Sequence, residues 1–467
     1  MKQHYDVAII GGGPAAIFAA YELSVLAPHI QVAMLEEGHD IYARTCPLAD
    51  KKVAHCIRCR PCDIMRGFGG AGAFSDGKYN FTTEFGGWLK DYLSEQTIHE
   101  LIDYVDAVNC AQGAPSEYFS TKDCKIARQA LGHDLHLLNA KVRHLGTENN
   151  LTILQRLYEH LKTKVDVVCN VKVETIHKRQ DGFELDLSGQ TERSAVSCRY
   201  LIAAPGRAGA EWFEGQCREL GLDLVSNQVD VGVRVEIPAE VFQHITDEVY
   251  EAKLVYRTKQ YGDLVRTFCM NPNGYVVAEN TDGIVTVNGH SYRDPKKHSR
   301  NTNFALLVSN RFTEPFKEPL QYGKRIASFS NMLGGGVLVQ RFGDLIKGRR
   351  TNEQRLARSF TVPTLSATPG DLSLVLPKRH LDNIIEMIYA LDKVAPGMAN
   401  DDTLLYGVEV KFYSSRLQLD ASLETKIANL FAIGDGAGIT RGLSQASASG
   451  VHVARKICAR LETENLA

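Results

Sequence analysis

The sequence predicts an α/β protein: a parallel sheet flanked by helices, with a second, strand-rich domain inserted into it. Three observations predict it. The chain opens on a strand, a glycine turn, a helix and a second strand; its middle third is dense in strand signals; and its last seventy or so residues return to the style of the opening. In order, "YDVAII" (5–10) is a continuous apolar run ended by glycines, as in a strand buried on both faces. "AAIFAAYELSVL" (15–26) places apolar residues at helical spacing, and "IQVAML" (30–35) is a second buried strand. "YLIAAPG" (200–206) and "NLFAIGDGAG" (429–438) are buried strands that end in small-residue turns. Between them lie "VGVRVEIP" (231–238) and "GYVVAEN" (274–280), typical of the inserted region. The expected division is 1–225 for the first part of the nucleotide domain, 226–399 for the insertion, and 400–467 for the closing part.

At 467 residues the chain is too long for one ordinary core, since domains run to roughly 100–200 residues. Lys plus Arg at 53 against Asp plus Glu at 55 leaves a net charge of −2, so no global field draws nucleic acid or an anionic membrane. No apolar run approaches the roughly 18 residues of a membrane span. The opening "MKQHYDVAII" runs into glycines without a cleavage-site pattern and reads as a first strand, not a signal peptide. The 11 cysteines, odd in number and scattered, suit a reducing compartment, and the expected location is cytoplasmic.

"GGGPAA" sets Gly11, Gly13 and Ala16 on the G-x-G-x-x-G/A pattern. Gly11 permits the tight turn, Gly13 lets the backbone approach a pyrophosphate, and Ala16 allows close helix packing. The helix that starts there offers free N–H groups to phosphates, and Glu36, at the end of the second strand, can accept from ribose hydroxyls. This is a Rossmann-like dinucleotide unit. The segment "hhhxGD" near the C-terminus, here ending in Gly434 and Asp435, resembles that of two-dinucleotide-binding flavoproteins of the glutathione-reductase-like fold, which implies FAD with Asp435 on the ribitol. The helix beginning "GLSQASASG", with Gly442 and Leu443 first, can turn its N–H groups toward a bulky anionic group. No second full G-x-G-x-x-G marks a tight site for NAD(P)H.

Four further stretches carry a wider resemblance: "GGAGAFSDGK" (69–78), "RTFCMNPNGYVVA" (266–278), "GDLIKGR" (343–349) and "GVEVKFYSS" (407–415). They are similar to those of the uncharacterised FAD-dependent dehydrogenases. The resemblance implies FAD, a nucleotide domain interrupted by a substrate domain, and redox chemistry on a small molecule. The family's motif resembles "FCMCPGG", whereas this chain has Cys269 but Asn271, so no vicinal thiol pair stands there. Cys269 reads as a packed core cysteine.

In "CIRCRPCDIMRGFGGAGAFSDGK" (56–78), Gly69, Gly70 and Gly72 let the backbone come close to a flat or charged group, with Ser75 adding a hydroxyl and Lys78 a cation. Ser75, Asp76 and Lys78 suit a capped turn equally well. Cys46, Cys56, Cys59 and Cys62 follow C-x9-C-x2-C-x2-C, with Pro47 after the distant cysteine. That spacing is compatible with a [4Fe-4S] cluster, with zinc, with a redox disulfide and with inert thiols. Lys51, Lys52, His55, Arg58, Arg60 and Arg66 crowd the thiols and are expected to lower their pKa values; they could also receive an acidic electron-carrier protein.

Two classes of function follow. One is a flavoenzyme moving a hydride between flavin N5 and a small-molecule substrate, with His290, Tyr292 and Lys411 as proton-donor candidates and the cysteines as an electron entry. The other is a non-enzymatic electron-transfer or redox-sensing flavoprotein. An insertion of this size favours the enzyme, because a carrier has little need of a large pocket-forming domain.

Overall fold

The computed structural model describes residues 1–50, 52–53, 56–57, 59–122, 124–189, 193–225, 228–281, 283–310, 319–411 and 415–465. The chain divides into two compact units. Unit 1 comprises Met1–Ser116, Arg143–Asn227 and Tyr413–Ala467; unit 2 comprises Glu117–Val142 and Gln228–Phe412.

Unit 1 is built on a parallel core. The strand His4–Ile10 lies between Val32–Leu35 and Arg193–Ala203, and Asp166–Val168 and Leu430–Ala432 continue the parallel run on either side. Val7, Ile9, Ala33, Ile202 and Phe431 have no exposed surface, which is why these strands are continuously apolar rather than alternating. The long Arg193–Ala203 strand changes neighbour along its length: its first half pairs antiparallel with Gly182–Ser188, its end with Leu430–Ala432. The carboxyl ends of four parallel strands therefore emerge together, at Ile10, Leu35, Ala203 and Ala432. Helix Pro14–Leu26, begun by Pro14 in the first helical position, packs against the long C-terminal helix Leu443–Asn465. The approach is close enough that a Cβ on Gly450 would stand 2.1 Å from the carbonyl oxygen of Ala15.

Unit 2 is an eight-stranded sheet. Its order is Thr368–Pro369, Leu338–Arg341, Leu404–Lys411, Val229–Pro238, Asn301–Asn310, Leu264–Asn271, Leu254–Arg257 and Leu135–Leu137, antiparallel except for the first pair. Helices Ala239–Val249 and Lys378–Asp392 cover it with Phe242, Ile245, Ile384, Met387 and Ile388. A hairpin, Tyr275–Thr281 with Ile284–His290, forms a separate two-stranded sheet.

The fold class read from the sequence is the one observed; the seams lie elsewhere. The closing seam falls after Phe412 and not at 399, because Leu404–Lys411 pairs with both Val229–Pro238 and Leu338–Arg341. Residues 117–142 also belong to unit 2, since Leu135–Leu137 pairs with Leu254–Arg257. Among the described residues, no helix is long and apolar enough to cross a membrane.

The helix contact in unit 1 yields a prediction whose sign is informative. On helix propensity alone, Gly450→Ala would stabilise by about 1 kcal/mol. Contact with the Ala15 carbonyl reverses this, and Gly450→Val is expected to lower stability by about 1–3 kcal/mol in urea unfolding.

Candidate functional site

The sequence-predicted cofactor residues of unit 1 gather at the strand ends. Gly11 adopts φ +104°, and a Cβ there would strike the Ala204 carbonyl oxygen at 2.2 Å, so only glycine can make this turn. Glu36, almost fully buried, accepts three backbone N–H bonds: from Gly12 at 2.6 Å, Gly38 at 2.8 Å and Gly67 at 2.7 Å. Its carboxylate thus ties together the turn after the first strand, the turn after the second and the glycine loop. Two oxygens offer about four lone-pair sites, so one acceptor position beyond these three bonds is available to a hydroxyl.

The glycine loop lies on the opening helix's start. Gly69 N–H donates to the Gly12 carbonyl at 2.7 Å, a Cβ on Gly70 would sit 3.1 Å from Gly13 Cα, and one on Gly72 would sit 2.8 Å from a Leu443 methyl. Arg44 holds the loop from beneath by donating to the carbonyls of Asp63 and Phe68. Asn150 adds bonds to the carbonyls of Gly72, Ala73 and Ser75. Ser75 itself donates to the Gly72 carbonyl at 2.7 Å and accepts from Gly77 N–H at 3.3 Å, so its hydroxyl caps the turn. Asp76, Lys78 and His144 form a buried cluster, with Lys78 Nζ 3.1 Å and His144 Nε2 3.4 Å from the same carboxylate oxygen. Burial opposes the charge on Asp76, but Lys78 and His144 outweigh it and hold the carboxyl well below the usual carboxylate range.

The fourth strand end supplies Gly434, at φ +75° against the Ala15 methyl, and Asp435, which accepts from the Thr440 hydroxyl at 2.8 Å. Burial pushes Asp435 up, moderated by Arg207, the Thr440 hydroxyl and Arg441. The Arg441 guanidinium lies 3.8 Å from the centre of the Trp88 ring.

These residues fit FAD on two observations. A Cβ at Gly13, Gly206 or Gly442 would meet nothing within 4 Å, so the backbone is open there. In the first turn of the C-terminal helix, Ser444 Oγ and Gln445 Oε1 are buried polar atoms without a hydrogen-bond partner among the described residues. Buried polar atoms are normally paired, and a bound group with donors and acceptors supplies what these lack.

The metal expectation gains no support from the described residues. Cys46, Cys56 and Cys62 are half-buried, Cys59 is exposed, and all eleven cysteines are free thiols. Among the described residues, no group of three or more His, Cys, Asp or Glu is placed to hold a metal ion. The lowered thiol pKa values are not met at Cys62 either: burial, followed by neighbouring Cys56 and Cys46, outweighs two backbone N–H bonds and pushes this thiol up. Two of the six basic residues have acidic partners among the described residues. Lys52 pairs with Asp50 at 3.2 Å and Arg66 with Glu37, while Lys51, His55 and Arg58 lie outside the described residues.

In unit 2 the structure reveals a buried polar network that sequence reasoning missed. Arg234 has no exposed surface; it donates to Asn303 Oδ1 at 2.8 Å, to both oxygens of Glu409 at 3.2 and 3.1 Å, and to the Cys269 carbonyl at 2.6 Å. Lys411 Nζ reaches Glu409 at 2.8 Å. Asn271 donates to the Cys269 carbonyl at 2.8 Å and to Asn303 at 3.2 Å. Cys269 is half-buried at φ +48°, which differs from the packed core cysteine expected. A Cβ on Gly289 would lie 2.1 Å from Asn303 Oδ1 and 2.4 Å from Arg234 Nη2, so the network closes around a missing side chain. Lys411 and the backbone beside His290 therefore meet at one centre. His290 and Tyr292 form an edge-on ring pair, centroids 4.9 Å apart, with Tyr275 alongside both.

Residues 228–412, the whole of the larger unit 2 segment, match the family model described as "FAD-dependent protein, C-terminal domain-like". The match supports the resemblance read from the sequence, and with it FAD as the cofactor. An uncharacterised protein of Clostridium beijerinckii is 28% identical over 478 residues, covering 97% of this chain and 81% of its own. Among solved structures, a flavoprotein/dehydrogenase from Cytophaga hutchinsonii is similar at 13% identity and TM-score 0.43, over 98% of this chain and 79% of that one. Glycine oxidase from Geobacillus kaustophilus is similar at 12% identity and TM-score 0.41, over 98% and 95%. Neither likeness bears on substrate or chemistry.

The network makes a double-mutant test. Glu409→Leu leaves Arg234 buried beside one carboxylate fewer and is expected to cost about 3–5 kcal/mol in urea unfolding. Arg234→Met with Glu409→Leu is expected to recover most of that loss, because a buried pair replaced by apolar side chains is often near neutral.

Proposed function

We propose that the chain is an FAD-dependent oxidoreductase that moves a hydride between flavin N5 and a small organic substrate taken up by unit 2. The observation that carries this reading is the convergence of four strand ends in unit 1, bringing Gly11, Gly13, Glu36, the 67–72 loop, Asp435 and the start of the C-terminal helix into one cradle with an open backbone face. Open α/β sheets bind ligands just outside the carboxyl ends of their strands.

Bound FAD would supply two-electron hydride chemistry at its N5 position. The chain's residues would do the rest. Gly13 and the first turn of helix Pro14–Leu26 present N–H groups and a positive helix end to the pyrophosphate. Glu36 offers its remaining acceptor site to a ribose hydroxyl, and Asp435 accepts from the ribitol. Ser444, Gln445 and the free N–H groups of the C-terminal helix would face the ring system's polar edge, where negative charge is favoured by the helix end. Ser75 is not required for binding, since its hydroxyl closes the loop's own turn.

Of the three proton-donor candidates, Lys411 pairs with Glu409, and His290 and Tyr292 form an edge-on ring pair in unit 2. The four-cysteine loop, the feature that would have argued for an electron-transfer module, takes no part in this reading.

Purified full-length protein is expected to be yellow, with one FAD per chain by absorbance and release. Asp435→Ala should weaken FAD binding by about 1.5–3 kcal/mol, roughly ten- to a hundredfold, without lowering the melting temperature of the flavin-free protein. Folded protein that takes up no FAD would overturn the reading.

A further inference from the structure

We propose that unit 2 carries a subsite for the carboxylate of a planar organic acid, formed by Lys253, Arg266 and Lys411 around the ring of Phe268. The inference goes beyond the flavin reading and stands on unit 2 alone. Three cationic groups lie close to one ring: Lys253 Nζ at 5.1 Å, Arg266 Cζ at 4.9 Å and Lys411 Nζ at 5.5 Å from its centroid. The side chains of Lys253 and Lys411 are less than one-tenth exposed, whereas Phe268 is half-buried.

Each cation is fixed from its own side by a buried carboxylate. Glu251 lies 3.4 Å from Lys253, Asp230 2.5 Å from Arg266 and Glu409 2.8 Å from Lys411. Glu409 is shared between Arg234 and Lys411. Cations so anchored cannot swing apart, and an anion placed among them relieves their mutual repulsion in a site where water screens poorly.

The backbone is shaped to present this surface. The pairing of Leu264–Asn271 with Asn301–Asn310 breaks register between Phe268 and Asn271, and Cys269 within the break sits at φ +48°, fixed there by the bonds from Arg234 and Asn271 to its carbonyl. Bulges of this kind re-aim side chains. A guanidinium and two ammonium groups suit a carboxylate, and the adjoining ring surface suits a flat apolar body, which together favour an aromatic acid over inorganic phosphate.

The test is calorimetric titration of the full-length protein with benzoate, with its neutral isostere benzamide, and with inorganic phosphate. Heat is read and not flavin colour, so failure here is distinguishable from failure of FAD to bind. Benzoate is expected to bind saturably, with benzamide and phosphate at least roughly tenfold weaker. Lys411→Gln and Arg266→Gln should each weaken benzoate by roughly tenfold or more, while Lys411→Arg, which keeps the charge, should stay within about threefold. Lys393→Gln, at an exposed position beyond helix Lys378–Asp392, should change nothing. Equal binding of benzamide, equal binding of phosphate, or unchanged benzoate affinity in the Lys411→Gln and Arg266→Gln variants would overturn the proposal.

Discussion

The carboxylate of Glu36 is the constraint on which the geometry of unit 1 depends. Three loops separated in sequence, those carrying Gly12, Gly38 and Gly67, present their N–H groups to its two oxygens within 2.8 Å. A buried carboxylate is costly unless it is surrounded by donors, and backbone N–H groups in turns have few other acceptors. Each side of the arrangement satisfies the other. The glycine loop, once fixed by Glu36 and Arg44, lies directly on the start of the opening helix, and the open face of the cradle follows from that placement.

Unit 2 is organised by a second buried charge. Arg234 stands in a strand with no exposed residue, and its guanidinium donates to Glu409, Asn303, Asn288 and the Cys269 carbonyl. The bond to Cys269 helps hold a backbone conformation that a cysteine adopts at some cost, with Gly289 leaving the space that the side chains fill. Buried charges of this kind contribute less to net stability than to a defined arrangement. Here the arrangement sets where Phe268 and Lys411 stand.

Much of unit 1 was legible in the sequence because its signals are local. Tyr5–Ile10, the following helix, and the strands ending near Leu35, Ala203 and Ala432 are runs rich in apolar residues that lead into glycine-containing turns, and each is observed, although the strand read from Tyr200 begins already at Arg193. Glu36 was recognised as a site residue, but not as an acceptor from three loops, since that role depends on contacts about 30 residues away. The unit boundaries were less legible: Leu135–Leu137 and Leu404–Lys411 join unit 2 through strand pairs that no local pattern announces. The Arg234 network did leave a trace. Asp230, Arg234 and Glu236 interrupt an otherwise apolar strand, and Glu409 and Lys411 do the same in theirs; charges at such positions signal burial with partners. The cysteine spacing says only which thiols could meet, while burial and the pairing of Lys52 and Arg66 set their surroundings.

The central claim is that the strand ends of unit 1 form one cradle for FAD, and amide hydrogen exchange of flavin-stripped protein with and without added FAD tests it most directly. The account predicts slower exchange on FAD addition at residues 12–17, 36–38, 67–72 and 435–446, with unit 2's sheet strand Val229–Pro238 unchanged. Protection confined to unit 2, or to the cysteine segment 46–62, would contradict it.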